Sequence, residues 1–134
     1  MIDILATIRA YLVQRPSVRA LTEQRIWAGR NVPPKGYKPQ DGPAITFLVR
    51  GGSPTYENDN YFASVQIKCY GYTEVSANEL YRALYTELQY DEGVTATVRH
   101  VEFEGLGILM EEPGTEWIYV LAYVNFMVRE RREY

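Results

Sequence analysis

Two side chains of the kind used in nucleophilic catalysis occur once each in this sequence, Cys69 and His100. They could act together if the imidazole accepted the proton of the thiol. The alternation of apolar and polar residues, however, predicts Cys69 on the core face of one strand and His100 on the polar face of another. A buried free cysteine usually packs as a small hydrophobic residue. We therefore predict no catalytic pair and no enzymatic activity.

Carboxylates form a second cluster of possible chemical use, late in the sequence. They are Glu102, Glu104, Glu111, Glu112 and Glu116. Such a group could bind a divalent cation or serve in acid–base catalysis. A solvated strand face followed by a turn explains the cluster better, and we favour that interpretation. Because Glu102 and Glu104 share a strand face, they could also line a channel through which nucleic acid passes without being bound.

The sequence lacks the motifs of common cofactor sites. A zinc site needs about four ligands, and one cysteine and one histidine supply too few nitrogen and sulfur donors. The chain contains no phosphate-binding P-loop, no spaced dinucleotide-binding glycines and no nucleophile elbow. We expect neither a cofactor nor a metal ion.

Composition limits the class of protein. The chain has 134 residues, of which 46% are hydrophobic and 23% charged, which is typical of one globular domain spanning residues 1–134. The net charge of −3 and the absence of a basic stripe argue against a nucleic-acid-binding protein. No apolar run approaches the roughly 20 residues that a membrane helix requires, so we expect no membrane association.

The pattern of residues 61–89 predicts the central elements of the fold, a strand followed by a helix. Residues 61–70 alternate with period two, as in a strand, and Gly71 ends the alternation. Apolar residues then recur at helical spacing from Ala77 to Leu88. Ser76 with Glu79 forms a possible capping box for this helix, and Thr73 is the alternative cap.

The remaining elements predict an α+β fold, a single mainly antiparallel sheet with two helices packed on one face and long loops at one end. Pro16 should end the first helix, and Ser17 can begin a short second turn. The predicted elements are a helix at 2–14, a turn through residue 21, a brief strand at 26–27, and strands at 44–50, 95–104, 106–110 and 117–129.

Three segments are predicted to lie outside the regular elements. Residues 29–43 contain four prolines and three glycines and form a long loop. We expect this loop to be mobile in the free subunit and to contact a partner through Lys35, Tyr37 and Lys38, although a plain surface excursion is the alternative. Residues 51–60 form a hairpin tip, and residues 130–134 a frayed tail.

The second face of the predicted sheet is unusually apolar. If helices cover one face, the other retains a set of aromatic and aliphatic side chains. They are Tyr70, Tyr72, Trp117, Tyr119, Leu121 and Tyr123. Apolar patches of this extent mark interfaces, so we predict a subunit contact here. The alternative is that loops such as residues 29–43 fold over the face.

The order of several short segments resembles that of the small tail-completion, or tail-terminator, proteins of long-tailed bacteriophages. The segments that carry the resemblance are Ser-Val-Arg-Ala-Leu at 17–21, Arg-Ile-Trp-Ala-Gly-Arg at 25–30, a proline-bearing loop, the strands at 43–47 and 65–71, and a helix beginning Ser-Ala-Asn-Glu-Leu at 76–80.

The resemblance implies a structural protein of the virion, assembled in the host cytoplasm. In that family an α+β subunit forms a ring, typically a homohexamer. The ring caps the tail tube and joins it to the head–tail connector or stopper protein, and DNA passes through without specific binding. Two alternatives stay open: another neck component, such as a stopper or adaptor-type ring, and a small ligand-binding or enzymatic domain that uses the Glu102 and Glu104 face.

Overall fold

Among the residues that the structure describes, three helices pack against one face of a six-stranded sheet. The computed structural model describes residues 3–54, 60–89 and 98–129. The helices are α1 (Ile4–Val13), α2 (Pro16–Thr22) and α3 (Glu74–Gln89). The strands are β1 (Ile26–Ala28), β2 (Ala44–Pro54), β3 (Asn60–Gly71), β4 (Val98–Phe103), β5 (Ile108–Glu111) and β6 (Ile118–Arg129). The predicted α+β class is therefore confirmed.

The sheet is mainly antiparallel, with the strand order β1-β2-β3-β6-β4 and with β5 also paired to β6. Only β1 runs parallel to its neighbour, β2. Strands β3 and β6 form the longest ladder, from Asn60 opposite Arg129 to Gly71 opposite Ile118. Strands β4 and β5 both pair with β6 and follow one another along the same edge.

One hydrophobic core lies between the helices and the first face of the sheet. Alternate residues of each strand point into it, as the period of two predicts. The core includes Ile8 and Leu12 of α1, Val18 of α2, Leu80, Leu84 and Leu88 of α3, and Ile67, Cys69, Val124 and Phe126 of the strands. Each fully buried aliphatic side chain stabilises the fold by roughly 1.5–3 kcal/mol.

The ends of the helices follow local chemistry. Pro16 occupies the start of α2, where its fixed φ suits the first helical turn. The side-chain oxygen of Thr73 accepts a hydrogen bond from the Ser76 backbone N–H at 3.2 Å, so Thr73 caps α3. The capping box predicted between Ser76 and Glu79 is therefore wrong, because Ser76 already lies inside the helix.

The connections differ in length and position. Residues 29–43 join β1 to the start of β2 and contain a short 3-10 turn at Pro39–Asp41. Strands β2 and β3 extend into the predicted hairpin tip, to Pro54 and from Asn60, and residues 55–59 lie outside the described chain. The predicted frayed tail, residues 130–134, also lies outside it, as does the start of the strand predicted at 95–104.

Candidate functional site

Five aromatic rings cluster on the second face of the sheet, near the start of β2 and β6. The ring of Tyr37 lies edge-on between Trp27 and Trp117, at centroid distances of 5.3 and 5.7 Å. Tyr70 contacts Trp117 at 6.5 Å and Tyr119 at 5.3 Å. The predicted interface residues Tyr70, Trp117 and Tyr119 therefore lie together, in contact with one another.

The loop at 29–43 covers this end of the second face. The side chain of Gln66 donates to Asn31 Oδ1 at 3.1 Å, and the Tyr70 hydroxyl donates to the Asn31 carbonyl at 3.5 Å. The Tyr37 hydroxyl donates to the Gly42 carbonyl at 2.7 Å. The two bonds to Asn31 hold the loop against β3, and the bond to Gly42 lies within the loop. This covering of the face is the alternative that the sequence left open.

The burial of three tyrosines corrects two of the predicted contact sets. Tyr37 is only 7% exposed and packs inside the aromatic cluster, so it is not a free partner-binding side chain. Tyr70 and Tyr119 are likewise buried by their own chain, so they are not open to a neighbour. Lys35 and Lys38 are exposed, and their contact with a partner stays a prediction.

A buried polar group lies beneath the aromatic cluster. Lys68 Nζ lies 3.2 and 3.3 Å from the two carboxylate oxygens of Glu112, and the Tyr70 hydroxyl donates to Glu112 Oε1 at 2.8 Å. The ammonium also lies 4.5 Å from the centre of the Tyr119 ring, in a cation–π contact. Burial raises the pKa of Tyr70, and the hydrogen bond to Glu112 and its charge raise it further.

The position of Lys68, Glu112 and Tyr70 suits a role in stabilising the fold rather than in binding a substrate. Lys68 and Glu112 satisfy each other's charge, and both are buried. Their contact joins the middle of the sheet to the turn between β5 and β6. The sequence interpretation of Glu112 as part of a solvated turn is wrong. The sequence does contain a signal for this ion pair. The alternation places Lys68 on the same face as Tyr70 and Tyr119, and a charged side chain among aromatic residues needs a partner.

The structure does not bring the cysteine and the histidine together. Cys69 lies on the helix-covered face opposite Val120, is 0% exposed, and burial raises the pKa of its thiol to about 12. His100 is exposed on the other face opposite Met127, with Nε2 3.9 Å from a carboxylate oxygen of Glu102. A thiol this hard to ionise and this remote from the imidazole is not activated as a nucleophile.

The two residues of the predicted acidic face, Glu102 and Glu104, lie in different environments. Glu104 forms an ion pair with Arg50 and accepts from Asn125 Nδ2 at 3.2 Å. The Arg50 guanidinium in turn lies 4.1 Å from the centre of the Tyr123 ring. Glu102 is exposed beside His100. Over the described ranges, no three histidine, cysteine or carboxylate residues lie close enough to hold a metal ion. A channel-lining role for Glu102 and Glu104 stays a prediction.

No protein-family model and no curated protein matches this chain. In the part of the chain that the structure describes, no helix is long and apolar enough to cross a membrane.

A run of exposed apolar side chains lies along β5, at the edge of the sheet away from β1. Leu106 is 84% exposed and Ile108 57%, and Leu109 and Met110 are also exposed. Ile108 is the register neighbour of the half-buried Leu121, a predicted interface residue. Tyr123 is also half-buried, and Tyr72 is exposed beyond the end of β3. The alternation at 106–110 indicates a strand, but nothing in it distinguishes an outer strand from an inner one.

Proposed function

We propose that this protein is a ring-forming structural subunit of a bacteriophage tail, a tail terminator that caps the tail tube and joins it to the head connector. The observation that carries the proposal is the order of the segments that resemble that family. In this fold those segments fall in α2, around β1, at the start of β2, in the second half of β3 and in α3. Each is thus part of a regular element or borders one.

The side-chain chemistry agrees with a structural role. The thiol and the imidazole lie on opposite faces of the sheet, and the Lys68–Glu112 charge pair is enclosed by aromatic rings. Of the carboxylates in the predicted acidic cluster, the exposed Glu102 and Glu111 lie on an outer edge of the sheet. These groups suit contacts between proteins better than a reaction with a small molecule.

The exposed apolar strand supports assembly. A monomer that stays alone in solution rarely exposes several large aliphatic side chains in one run. Residues 106–110 contain four of them, all exposed. A subunit that buries this surface against a neighbour would explain it. The proposed partners are further copies of the chain in a ring, the tail tube protein and the connector, with DNA passing through the ring.

The test measures both assembly and its effect on tubes. The tail tube protein of the same virus is polymerised with and without this protein, and tube lengths and ends are imaged by electron microscopy. We expect rings at one end of each tube and a narrow length distribution. Rings that bind the isolated connector but leave tube growth unchanged would assign the protein to another neck position. Failure to bind either component would refute the proposal.

A further inference from the structure

The outer edge of β5 is open in the part of the chain that the structure describes. Strand β5 pairs with β6 on one side, and no strand in the described ranges pairs with its other side. Proteins usually protect such edges with lysine, proline or a covering loop, because an open strand invites another chain. The segment Leu-Gly-Ile-Leu-Met at 106–110 contains neither lysine nor proline. Its exposed side chains extend to both faces of the sheet.

Acidic side chains outnumber basic ones around this edge, where His100 lies beside Glu102 and Arg50 is paired with Glu104. Glu111 is exposed at the end of β5, opposite Ile118 of β6 and on the other face from Ile108 and Met110. Glu102 is exposed on β4, opposite Asn125, farther along the same edge of β6. Glu116 is exposed in the following turn. Residues 100–119 include no lysine and no arginine. We call this surface, formed by Leu106, Ile108, Met110 and the exposed Glu102 and Glu111, the acidic edge.

A second exposed surface has the opposite charge. Arg30, Lys35 and Lys38 are exposed on the loop that covers the aromatic cluster, and Val32 is exposed between them. Residues 29–40 contain no aspartate or glutamate. The nearest acid in sequence, Asp41, accepts from the backbone N–H of Lys38 at 3.1 Å. We call the surface of Arg30, Val32, Lys35 and Lys38 the basic loop.

We infer that the acidic edge of one copy of this chain binds the basic loop of the next. The edge offers apolar side chains with a negative border, and the loop offers an apolar side chain with positive neighbours. Complementary charges of this kind set the register and speed the association of two proteins. The inference rests on the proposed function for its partner, because a ring subunit must contact its own copies.

The use of two different surfaces determines the type of assembly. A contact in which each copy presents the same patch closes as a two-fold dimer, whereas unlike surfaces give a head-to-tail contact. Head-to-tail contacts form rings when the rotation closes. When the edge and the loop of one copy bind two different neighbours, the inference predicts rings or open chains, and when both bind the same neighbour, it predicts a two-fold dimer. It excludes a dimer made by pairing two β5 edges.

Charge reversal tests the contact. Glu102→Lys/Glu111→Lys reverses the acidic edge, and Lys35→Glu/Lys38→Glu reverses the basic loop. Self-association is measured by sedimentation velocity with and without tail tubes. We expect each double variant to associate at least tenfold more weakly than the parent. An equimolar mixture of the two variants should assemble again, because every contact then joins two intact surfaces or two reversed surfaces. Glu74→Lys/Glu79→Lys on the exposed side of α3 is the charge-matched control and should assemble like the parent.

Cysteine cross-linking detects the contact even when it is weak. An Ile108→Cys variant is mixed with a Val32→Cys variant of different mass under mild oxidation. The native Cys69 is buried, so it does not compete. We expect a mixed disulfide dimer in clear excess over the product of Ile108→Cys with the control variant Glu79→Cys. Equal yields from the two mixtures, or a predominant Ile108→Cys homodimer, would overturn the inference.

The outcomes separate this inference from the proposed function. If the parent protein forms rings on tubes and the reversed variants do so equally well, the contact is wrong and the function stands. If the parent never binds tubes but the mixed disulfide forms, the head-to-tail contact stands and the tail-terminator function fails.

Discussion

The ammonium of Lys68 and the carboxylate of Glu112 form an ion pair at 3.2 Å with side chains only 6% and 10% exposed. The two residues lie 44 positions apart in the sequence, one in the second half of β3 and one just after β5. Tyr70 donates a further hydrogen bond to the carboxylate. The pair therefore fixes the turn between β5 and β6 onto the second face, where the loop with Tyr37 then packs against Trp117.

Removing one member of this pair should destabilise the protein far more than removing both. Lys68→Met leaves the Glu112 carboxylate buried without its counter-charge, and such losses cost about 3–5 kcal/mol. The double variant Lys68→Met/Glu112→Leu removes both charges and should recover most of the loss. Urea denaturation of the parent, both single variants and the double variant gives the coupling free energy. Additive effects of the two single changes would contradict the buried pair.

The sequence predicts the strands and helices well because their signals are local. The alternation at 61–70 and 118–128 and the apolar stripe from Ala77 to Leu88 each arise within one element. The same alternation assigned Cys69 to the core. It could not resolve the cap of α3, because Thr73 and Ser76 are both residues that cap helices well.

The sequence predicts the second face of the sheet less completely, because the packing there depends on contacts between distant segments. Periodicity places Tyr70 and Tyr119 on the face but does not show that residues 29–43 cover them. Proline and glycine in the loop indicated irregular structure, and from this we expected mobility. The loop is irregular, but Tyr37 is held in place by contacts with two tryptophans. The exposure of β5 could not be predicted either, because strand order is a property of the whole sheet.

Alkaline pH should destabilise the protein through the buried thiol. Burial raises the pKa of Cys69 from 9.0 to about 12. Above pH 9 the unfolded chain loses this proton while the folded chain keeps it, so the free energy of unfolding falls by up to about 1.4 kcal/mol per pH unit. Buried tyrosines add to the slope above pH 10, since burial raises the pKa of Tyr37 to about 12.

Cys69→Ala isolates the thiol contribution. The variant should lose about 1 kcal/mol at neutral pH through a small cavity. Between pH 9 and 10 its free energy of unfolding should change less steeply with pH than that of the parent. Denaturation curves at half-unit pH steps measure both slopes. Equal slopes would show that the thiol ionises as readily in the folded chain as in the unfolded one.

Gly71 should not tolerate a side chain. A Cβ atom at this position would lie 2.3 Å from the backbone nitrogen of Ala77 in α3. Because backbone atoms on both sides must move apart, Gly71→Ala should lower the free energy of unfolding by about 1–3 kcal/mol or more. Gly51 is the matched control, since a Cβ there meets no atom within 4 Å. Gly51→Ala should unfold within about 0.5 kcal/mol of the parent.

Tyr37 should stabilise the loop as a core residue does. Tyr37→Ala removes a buried ring from between Trp27 and Trp117 together with the hydrogen bond to Gly42, so we expect a loss of about 3–5 kcal/mol. Lys38→Ala, at the exposed neighbour, should change stability little. Hydrogen exchange should show protected amides at 37–42 in the parent and faster exchange in Tyr37→Ala. Fast exchange of these amides already in the parent would restore the expectation of a mobile loop.

Ile108→Asp should separate folding from assembly. In the free subunit this side chain is 57% exposed, so an aspartate there meets water and the free energy of unfolding should change by no more than about 0.5–1 kcal/mol. In an assembled ring the same carboxylate would replace an apolar contact with Val32 of the next copy and would be buried, which costs several kcal/mol at each contact. Val75→Asp is the control, since Val75 is an exposed apolar residue in the first turn of α3. We expect both variants to melt near the parent, and only Ile108→Asp to fail to form rings and to leave tubes of irregular length. Normal rings from Ile108→Asp would mean that β5 faces solvent in the assembly, and the contact would then have to involve other exposed residues, such as Tyr72 or Phe62.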